Sequence, residues 1–144
     1  MISTSRTIQD THVGIATLNG RAYYFLTRLM NEIGIPHIGF TPGDQVARES
    51  KLTLTTKVER ELVQSDAVIT LEDLGTENVS AKEKIIARLY GRRDDRLLVG
   101  MDPGKRIGLV AYFGNHELYA DVLVSVSSTV EKVARIIRGS CCSK

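Results

Sequence analysis

The sequence has few of the residues that mark specialised protein classes. It contains no tryptophan, three prolines and two cysteines, which are adjacent at Cys141 and Cys142. Two neighbouring cysteines provide neither the framework of a disulfide-stapled secreted domain nor the spacing of a zinc site, so we interpret them as reduced thiols. No apolar run approaches the roughly 20 residues that span a bilayer, and the first ten residues lack the apolar core of a secretory signal. These absences favour a cytoplasmic protein without a membrane segment.

Motifs of the common catalytic and cofactor-binding classes are also missing. There is no Gly-x-Ser-x-Gly elbow, and the three histidines stand alone, without a His-x-x-x-His pair. Residues 19–21, Asn-Gly-Arg, have neither the glycine spacing of a dinucleotide fingerprint nor the lysine of a phosphate-binding P-loop. We therefore expect no nucleotide cofactor.

What the sequence does contain is an alternation of strand and helix patterns. Residues 12–18 form a short apolar run, and in residues 19–34 the apolar side chains recur at helical spacing. A second short apolar run follows at residues 36–40. A strand, a helix and a strand in so short a span predict a βαβ unit with parallel strands.

The next segment carries two conflicting patterns. Residues 51–56, KLTLTT, alternate like a strand, whereas the apolar residues after them favour a helix. We predict the helix alone, over residues 55–64. Residues 67–71 then predict a third buried strand, which ends at Glu72 and Asp73.

Two capping boxes, Ser80 with Glu83 and Ser128 with Glu131, predict the starts of two further helices. Between them, residues 97–101 predict a fourth strand of the sheet, followed by an antiparallel pair. Together these elements predict a three-layer α/β fold. Its mostly parallel sheet ends in a C-terminal antiparallel hairpin, and helices cover both faces.

Residues 91–96 have the length of an ordinary helix-to-strand loop. We therefore predict one continuous sheet and a single domain over residues 1–144. The alternative is a flavodoxin-like part at residues 11–91, joined to a second part at residues 96–139.

Residues 97–113, LLVGMDPGKRIGLVAYF, are the most informative stretch. An apolar run ends at Asp102, turns at Pro103 and Gly104, and is followed by a second apolar run from Ile107. This pattern predicts a β-hairpin with an aspartate at the end of its first strand, next to the turn. An aspartate in that position can hold a divalent metal ion or face a phosphate.

This stretch resembles the first hairpin of the RNase H-like superfamily. Within the superfamily, its Asp-Pro-Gly, basic pair and Ile107-Gly108 are most similar to the Holliday-junction resolvase (RuvC and YqgF-like) branch. The resemblance covers about residues 96–139, with a third strand at 116–126 and a first helix at 128–139. It implies that Asp102 is the first metal-binding carboxylate of a two-metal nuclease.

The family's other carboxylates belong to a later strand and helix that have no counterpart in this sequence. One aspartate cannot hold two ions and orient a water molecule, so we expect no competent nuclease from this chain alone. Glu72 and Asp73 follow a predicted parallel strand, at the sheet edge where ligands gather, and are candidates to complete a magnesium site with Asp102. Any enzymatic activity is expected to be that of a metal-dependent nuclease.

The charge is unevenly distributed. Residues 1–80 hold seven basic and ten acidic residues, a net charge of −3, whereas residues 81–144 hold twelve and seven, a net charge of +5. Such a basic half attracts phosphate backbones. The cations predicted to contact nucleic acid are Arg92, Arg93, Arg96, Lys105 and Arg106.

The leading interpretation is therefore a nucleic-acid-associated protein of resolvase-like ancestry. The alternative is a small receiver-like interaction module in which Asp102 has only a structural role. Such a module would form a homodimer through an exposed sheet edge.

Overall fold

The computed structural model describes residues 13–90 and 96–139. They belong to two compact units, an N-terminal unit (Met1–Gly75) and a C-terminal unit (Thr76–Lys144). The predicted α/β class and its C-terminal antiparallel strands are confirmed. The strands form two sheets, however, and not the one continuous sheet predicted from the sequence. None of the helices in the described residues is long and apolar enough to cross a membrane.

The N-terminal unit is built on a parallel sheet with the strand order β2-β1-β3-β4. Its strands are β1 (Val13–Ala16), β2 (His37–Phe40), β3 (Leu52–Thr55) and β4 (Val68–Thr70). Its helices are α1 (Gly20–Ile33) and the short α2 (Leu71–Leu74), with 3-10 turns at Gln45–Glu49 and Arg60–Leu62.

The predicted βαβ unit is formed by β1, α1 and β2. Helix α1 begins at Asn19, whose side chain accepts hydrogen bonds from two backbone N–H groups of the first turn. It ends at Gly34, which has a φ of 78°, a left-handed conformation that favours glycine. Four side chains of the apolar stripe are buried, namely Ala22, Leu26, Leu29 and Met30. This unit could be predicted because its helix has a start signal, a stop signal and a single apolar stripe.

The helix predicted at residues 55–64 is wrong. The alternating KLTLTT segment forms β3, a central strand between β1 and β4, and only the 3-10 turn Arg60–Leu62 follows it. All four residues of β3 are buried, as is usual for a strand inside a parallel sheet. In contrast, Val58 and Leu62, which suggested an apolar helical side, are 90% and 57% exposed. Burial of β3 therefore outweighs the helical pattern of the residues after it.

The C-terminal unit contains an antiparallel sheet with the order β5-β6-β7. Its elements are α3 (Asn78–Tyr90), β5 (Leu97–Asp102), β6 (Ile107–Phe113), β7 (His116–Leu123) and α4 (Val126–Gly139). Strand β5 pairs with β6 in this sheet instead of extending the parallel one. A tight turn joins the two strands, so their pairing closes only a short loop.

Alternate residues of β6, from Ile107 to Phe113, are buried, and the residues between them are partly exposed. Helix α3 packs against β7, and α4 packs against β6, β7 and α3. The ammonium group of Lys82, which is buried in α3, donates a hydrogen bond to the carbonyl of Leu118 at 3.1 Å. Within this unit, the sheet therefore has one apolar face under the helices and an opposite face that these helices leave open.

The two predicted capping boxes are wrong by three residues, because α3 begins at Asn78 and α4 at Val126, which places the caps at residues 77 and 125. Before α4, the Ser125 hydroxyl accepts a hydrogen bond from the N–H of Ser128 at 3.1 Å. Ser80 instead donates its hydroxyl to the carbonyl of Gly139 at 2.8 Å. Three serines, at positions 125, 127 and 128, lie near the start of α4, so the spacing alone did not identify the one that caps this helix.

Candidate nucleic-acid interface

The tip of the β5–β6 hairpin holds three of the predicted site residues. Asp102 is the last residue of β5 and lies opposite Gly108, while Lys105 and Arg106 lie in the turn that leads to β6. Residues 102–106 are all exposed. The structure thus brings one carboxylate and two cations together at one end of the sheet, where the cations can reach a phosphate backbone.

Arg96 lies at the other end of the same sheet. Its carbonyl accepts a hydrogen bond from the N–H of Gly114 at 3.3 Å, which continues the β5–β6 pairing by one residue. The length of β5 separates Arg96 from Asp102 by roughly 20 Å. Arg92 and Arg93 lie outside the described residues. The described cations of the predicted patch therefore occupy two ends of the sheet and not one cluster.

A stacked aromatic pair lies at the Arg96 end. The Tyr90 ring, at the end of α3, stacks on the His116 ring at the start of β7, with 5.1 Å between the ring centroids and 20° between their planes. Tyr90 is 50% exposed. His116 lies opposite Phe113, which in turn lies opposite Leu97, so Arg96 and the pair share one end of the sheet. Two spacings between neighbouring strands, or roughly 10 Å, separate the backbone of Arg96 from that of His116.

Sequence reasoning missed this pair. Tyr90 fits the apolar side of α3, and His116 is one of three isolated histidines. The end of a helix and the start of a strand 26 positions later meet only when the sheet has formed. The one signal from which exposure of Tyr90 could have been predicted is its position at the end of a helix, next to the basic residues Arg92 and Arg93.

Glu72 and Asp73 lie in the N-terminal unit, in α2, and Asp102 lies in the C-terminal unit. The Glu72 carboxylate accepts a hydrogen bond from the N–H of Lys57 at 2.8 Å. Asp73 forms a capping box with Thr70, in which the N–H of Asp73 donates to the threonine hydroxyl at 3.2 Å. Both carboxylates therefore stabilise local structure at the end of β4.

Among the described residues, no three His, Cys, Asp or Glu side chains are grouped so that they could hold a metal ion. Magnesium takes about six oxygen ligands in a near-octahedral arrangement. Asp102 supplies one carboxylate, and its neighbours in the turn are cations. The described surroundings of Asp102 do not fit a magnesium ion, and the magnesium site with Glu72 or Asp73 stays a prediction.

The N-terminal unit contains a second polar cluster, centred on Glu59. The Glu59 carboxylate accepts hydrogen bonds from the hydroxyls of Thr17 and Thr56 and from the backbone N–H of Leu18, the last at 2.7 Å. It joins the loop after β1 to the loop after β3. Burial disfavours the charged carboxylate, but the hydrogen bonds from Thr17, Leu18 and Thr56 favour it more, so the pKa of Glu59 is lowered.

We expect Glu59→Gln to reduce the free energy of unfolding by about 1–2 kcal/mol at neutral pH, because an amide replaces a carboxylate that accepts three hydrogen bonds. A lowered pKa in the folded state stabilises the protein above the unfolded pKa of about 4.3. The stability difference between wild type and variant should therefore shrink as the pH falls through the folded pKa. Urea unfolding at several pH values measures it.

The control for this variant is Glu61→Gln, in the 3-10 turn that follows Glu59, because Glu61 is exposed. It should unfold like the wild type at every pH. Equal pH profiles for the Glu59 and Glu61 variants would show that the Glu59 carboxylate does not join the two loops.

Comparison with protein-family models, with curated proteins and with solved structures found no match to this chain. The function must therefore be inferred from the residues themselves. In the C-terminal unit these are the hairpin tip with Lys105 and Arg106, and the opposite end with Arg96 and the stacked pair.

Proposed function

We propose that the chain binds nucleic acid through the two ends of its antiparallel sheet. The observation that carries this proposal is the partly exposed Tyr90–His116 stack at the same end of the sheet as Arg96. Cations attract the phosphate backbone without regard to sequence. Aromatic rings offer a surface on which unpaired bases stack. An end of a sheet that holds both can contact the backbone and a base of one strand.

The order of elements in the C-terminal unit supports the same proposal. Three antiparallel strands followed by a helix, with an aspartate at the end of the first strand, is the order that the resolvase-like resemblance implies. We do not propose hydrolysis, because no group of carboxylates among the described residues completes with Asp102 the site that two-metal chemistry needs. Nucleic-acid binding in turn favours a cytoplasmic location.

Binding can be tested by fluorescence anisotropy with labelled single-stranded, duplex and branched DNA at low salt. Single-stranded DNA should bind most tightly, because its bases are free to stack. Tyr90→Leu keeps an apolar residue at the end of α3 but removes the ring, and one lost stacking contact is worth about 1–3 kcal/mol. We therefore expect Tyr90→Leu to weaken the binding of single-stranded DNA by roughly tenfold.

The matched control is Tyr90→Phe, which keeps the ring and should bind like the wild type. Equal affinities for the leucine and phenylalanine variants would contradict a stacking role. Failure of the wild type to bind any of the three DNAs at low salt would contradict the proposed function and would favour the interaction module.

A further inference from the structure

Strand β5 is an edge of the antiparallel sheet within the described residues, because β6 is its one partner there. The bond from the N–H of Gly114 to the carbonyl of Arg96 sets which backbone groups point toward β6. In an antiparallel pair these groups alternate along the strand. Those of Leu97, Val99 and Met101 therefore point away from β6, and they can pair with another strand.

The charges of β5 are complementary to those of a second, antiparallel copy of itself. Arg96 precedes the strand and Asp102 ends it. If two copies pair about Val99, each arginine lies opposite the partner's Asp102, and Leu97 lies opposite the partner's Met101. In this register the three outward-facing residues of each copy form hydrogen-bonded pairs, with about six backbone hydrogen bonds in total.

The other edge of the sheet does not favour such self-pairing. Strand β7 carries Glu117 and Asp121 on either side of Tyr119, and no Lys or Arg. Its pairing with β6 has a register shift between Ala111 and Tyr112, so β7 is irregular at Leu118. An irregular edge strand whose charged side chains are all acidic disfavours pairing with a second copy of itself. Between the two edges, the regular pairing and the opposite charges of β5 therefore favour β5.

The side chains of β5 are also complementary in size. By the alternation of a strand, Leu98 and Gly100 point to the open face of the sheet. Leu98 is 66% exposed, and a depression of about 620 Å³ on this face is lined by Gly100, Gly108 and Ala120 among others. Pairing about Val99 places each Leu98 opposite the partner's Gly100, at the rim of this depression, so a large exposed side chain meets a position that has none.

We propose that two copies of this chain form a homodimer by antiparallel pairing of their β5 strands about Val99, so that the two three-stranded sheets become one of six strands. The partner's Arg96 then lies beside Asp102, next to Lys105 and Arg106. In the dimer, Arg96 of one copy therefore joins Lys105 and Arg106 of the other, and two composite basic surfaces form. The role of these surfaces in nucleic-acid binding rests on the proposed function. Dimer formation itself does not depend on it.

Sedimentation equilibrium of the full chain from micromolar to millimolar concentration tests the proposal. The wild type should form a dimer. Arg96→Asp and Asp102→Arg each turn two opposite-charge pairs into like-charge pairs, and each should raise the dissociation constant roughly tenfold. The double variant restores opposite charges and should return the constant close to that of the wild type. Arg135→Asp makes the same charge change on the exposed side of α4 and should have no effect.

Amide hydrogen exchange measures the backbone pairing between the two β5 strands separately. The N–H of Val99 should exchange more slowly at high protein concentration than at low concentration. Val99→Pro removes this outward N–H and leaves the β6 ladder intact, so it should be monomeric with a wild-type circular dichroism spectrum. A wild type that is monomeric throughout would overturn the proposal, and so would a charge-swapped double variant no tighter than the single variants. DNA binding is measured separately, so its failure would leave the dimer standing.

Discussion

Truncation of Leu54 to alanine should lower the free energy of unfolding by about 3 kcal/mol. Leu54 is fully buried in β3, where it lies between Ile15 of β1 and Ile69 of β4. Removal of a leucine side chain from such a position loses its transfer free energy and leaves a cavity, at a typical cost of 2–5 kcal/mol. Urea unfolding followed by far-ultraviolet circular dichroism measures the change.

The control for this truncation is Leu62→Ala. Leu62 is 57% exposed in the 3-10 turn after β3, so its truncation should cost well under 1 kcal/mol. The pair of variants distinguishes the observed strand from the helix that the sequence favours, because Leu62 lies on the apolar side of that helix. Equal losses at the two positions would contradict the placement of β3 at the centre of the sheet.

Replacement of Gly14 by alanine should be the second most destabilising change, at about 2–3 kcal/mol. A Cβ atom at this position would clash with Cε1 of Phe40, and it would lie 2.8 Å from Cζ of the same ring and 2.9 Å from the Ser50 hydroxyl. Gly14 is in β1, which pairs with β2 on one side and β3 on the other, so the backbone has little room to move. Overpacking of this kind typically costs 1–3 kcal/mol.

Gly20→Ala is the matched control, since a Cβ atom placed there would have no atom within 4 Å other than those of its chain neighbours and of the helix's own backbone. Gly20 begins α1, and alanine is the better helix former. We expect this variant to be as stable as the wild type or slightly more stable, by thermal unfolding. A Gly14→Ala variant that unfolds at the wild-type temperature would show that Phe40 does not pack over β1.

The extent to which the fold could be predicted depended on how local the signals were. The βαβ unit has a complete helix signal from Asn19 to Gly34, and the hairpin around Asp102 has a turn between two apolar runs; both were predicted and both form. Strand β3 was missed because it is stabilised by burial between two other strands, which no local window contains. The division into two sheets was missed for the same reason, since strand partners are a long-range property.

Prediction of the candidate site also depended on whether its residues are close in sequence. Asp102, Lys105 and Arg106 are close in sequence, and the hairpin keeps them together at one tip. Arg96 is also near in sequence, but the extended strand carries it to the far end of the sheet. The Tyr90–His116 stack and the Glu59 cluster join distant segments, through a sheet and two loops respectively. Neither could be derived from spacing.

The most direct test of nucleic-acid binding is the salt dependence of wild-type affinity for single-stranded DNA. If cations carry the binding, the logarithm of the association constant should fall linearly with the logarithm of the salt concentration, by about 0.7 for each phosphate contacted. The triple variant Arg96→Ala, Lys105→Ala, Arg106→Ala should bind more weakly and have a slope smaller by about two to three phosphate contacts. A wild-type affinity that does not change with salt, or a triple variant with the wild-type slope, would contradict the account.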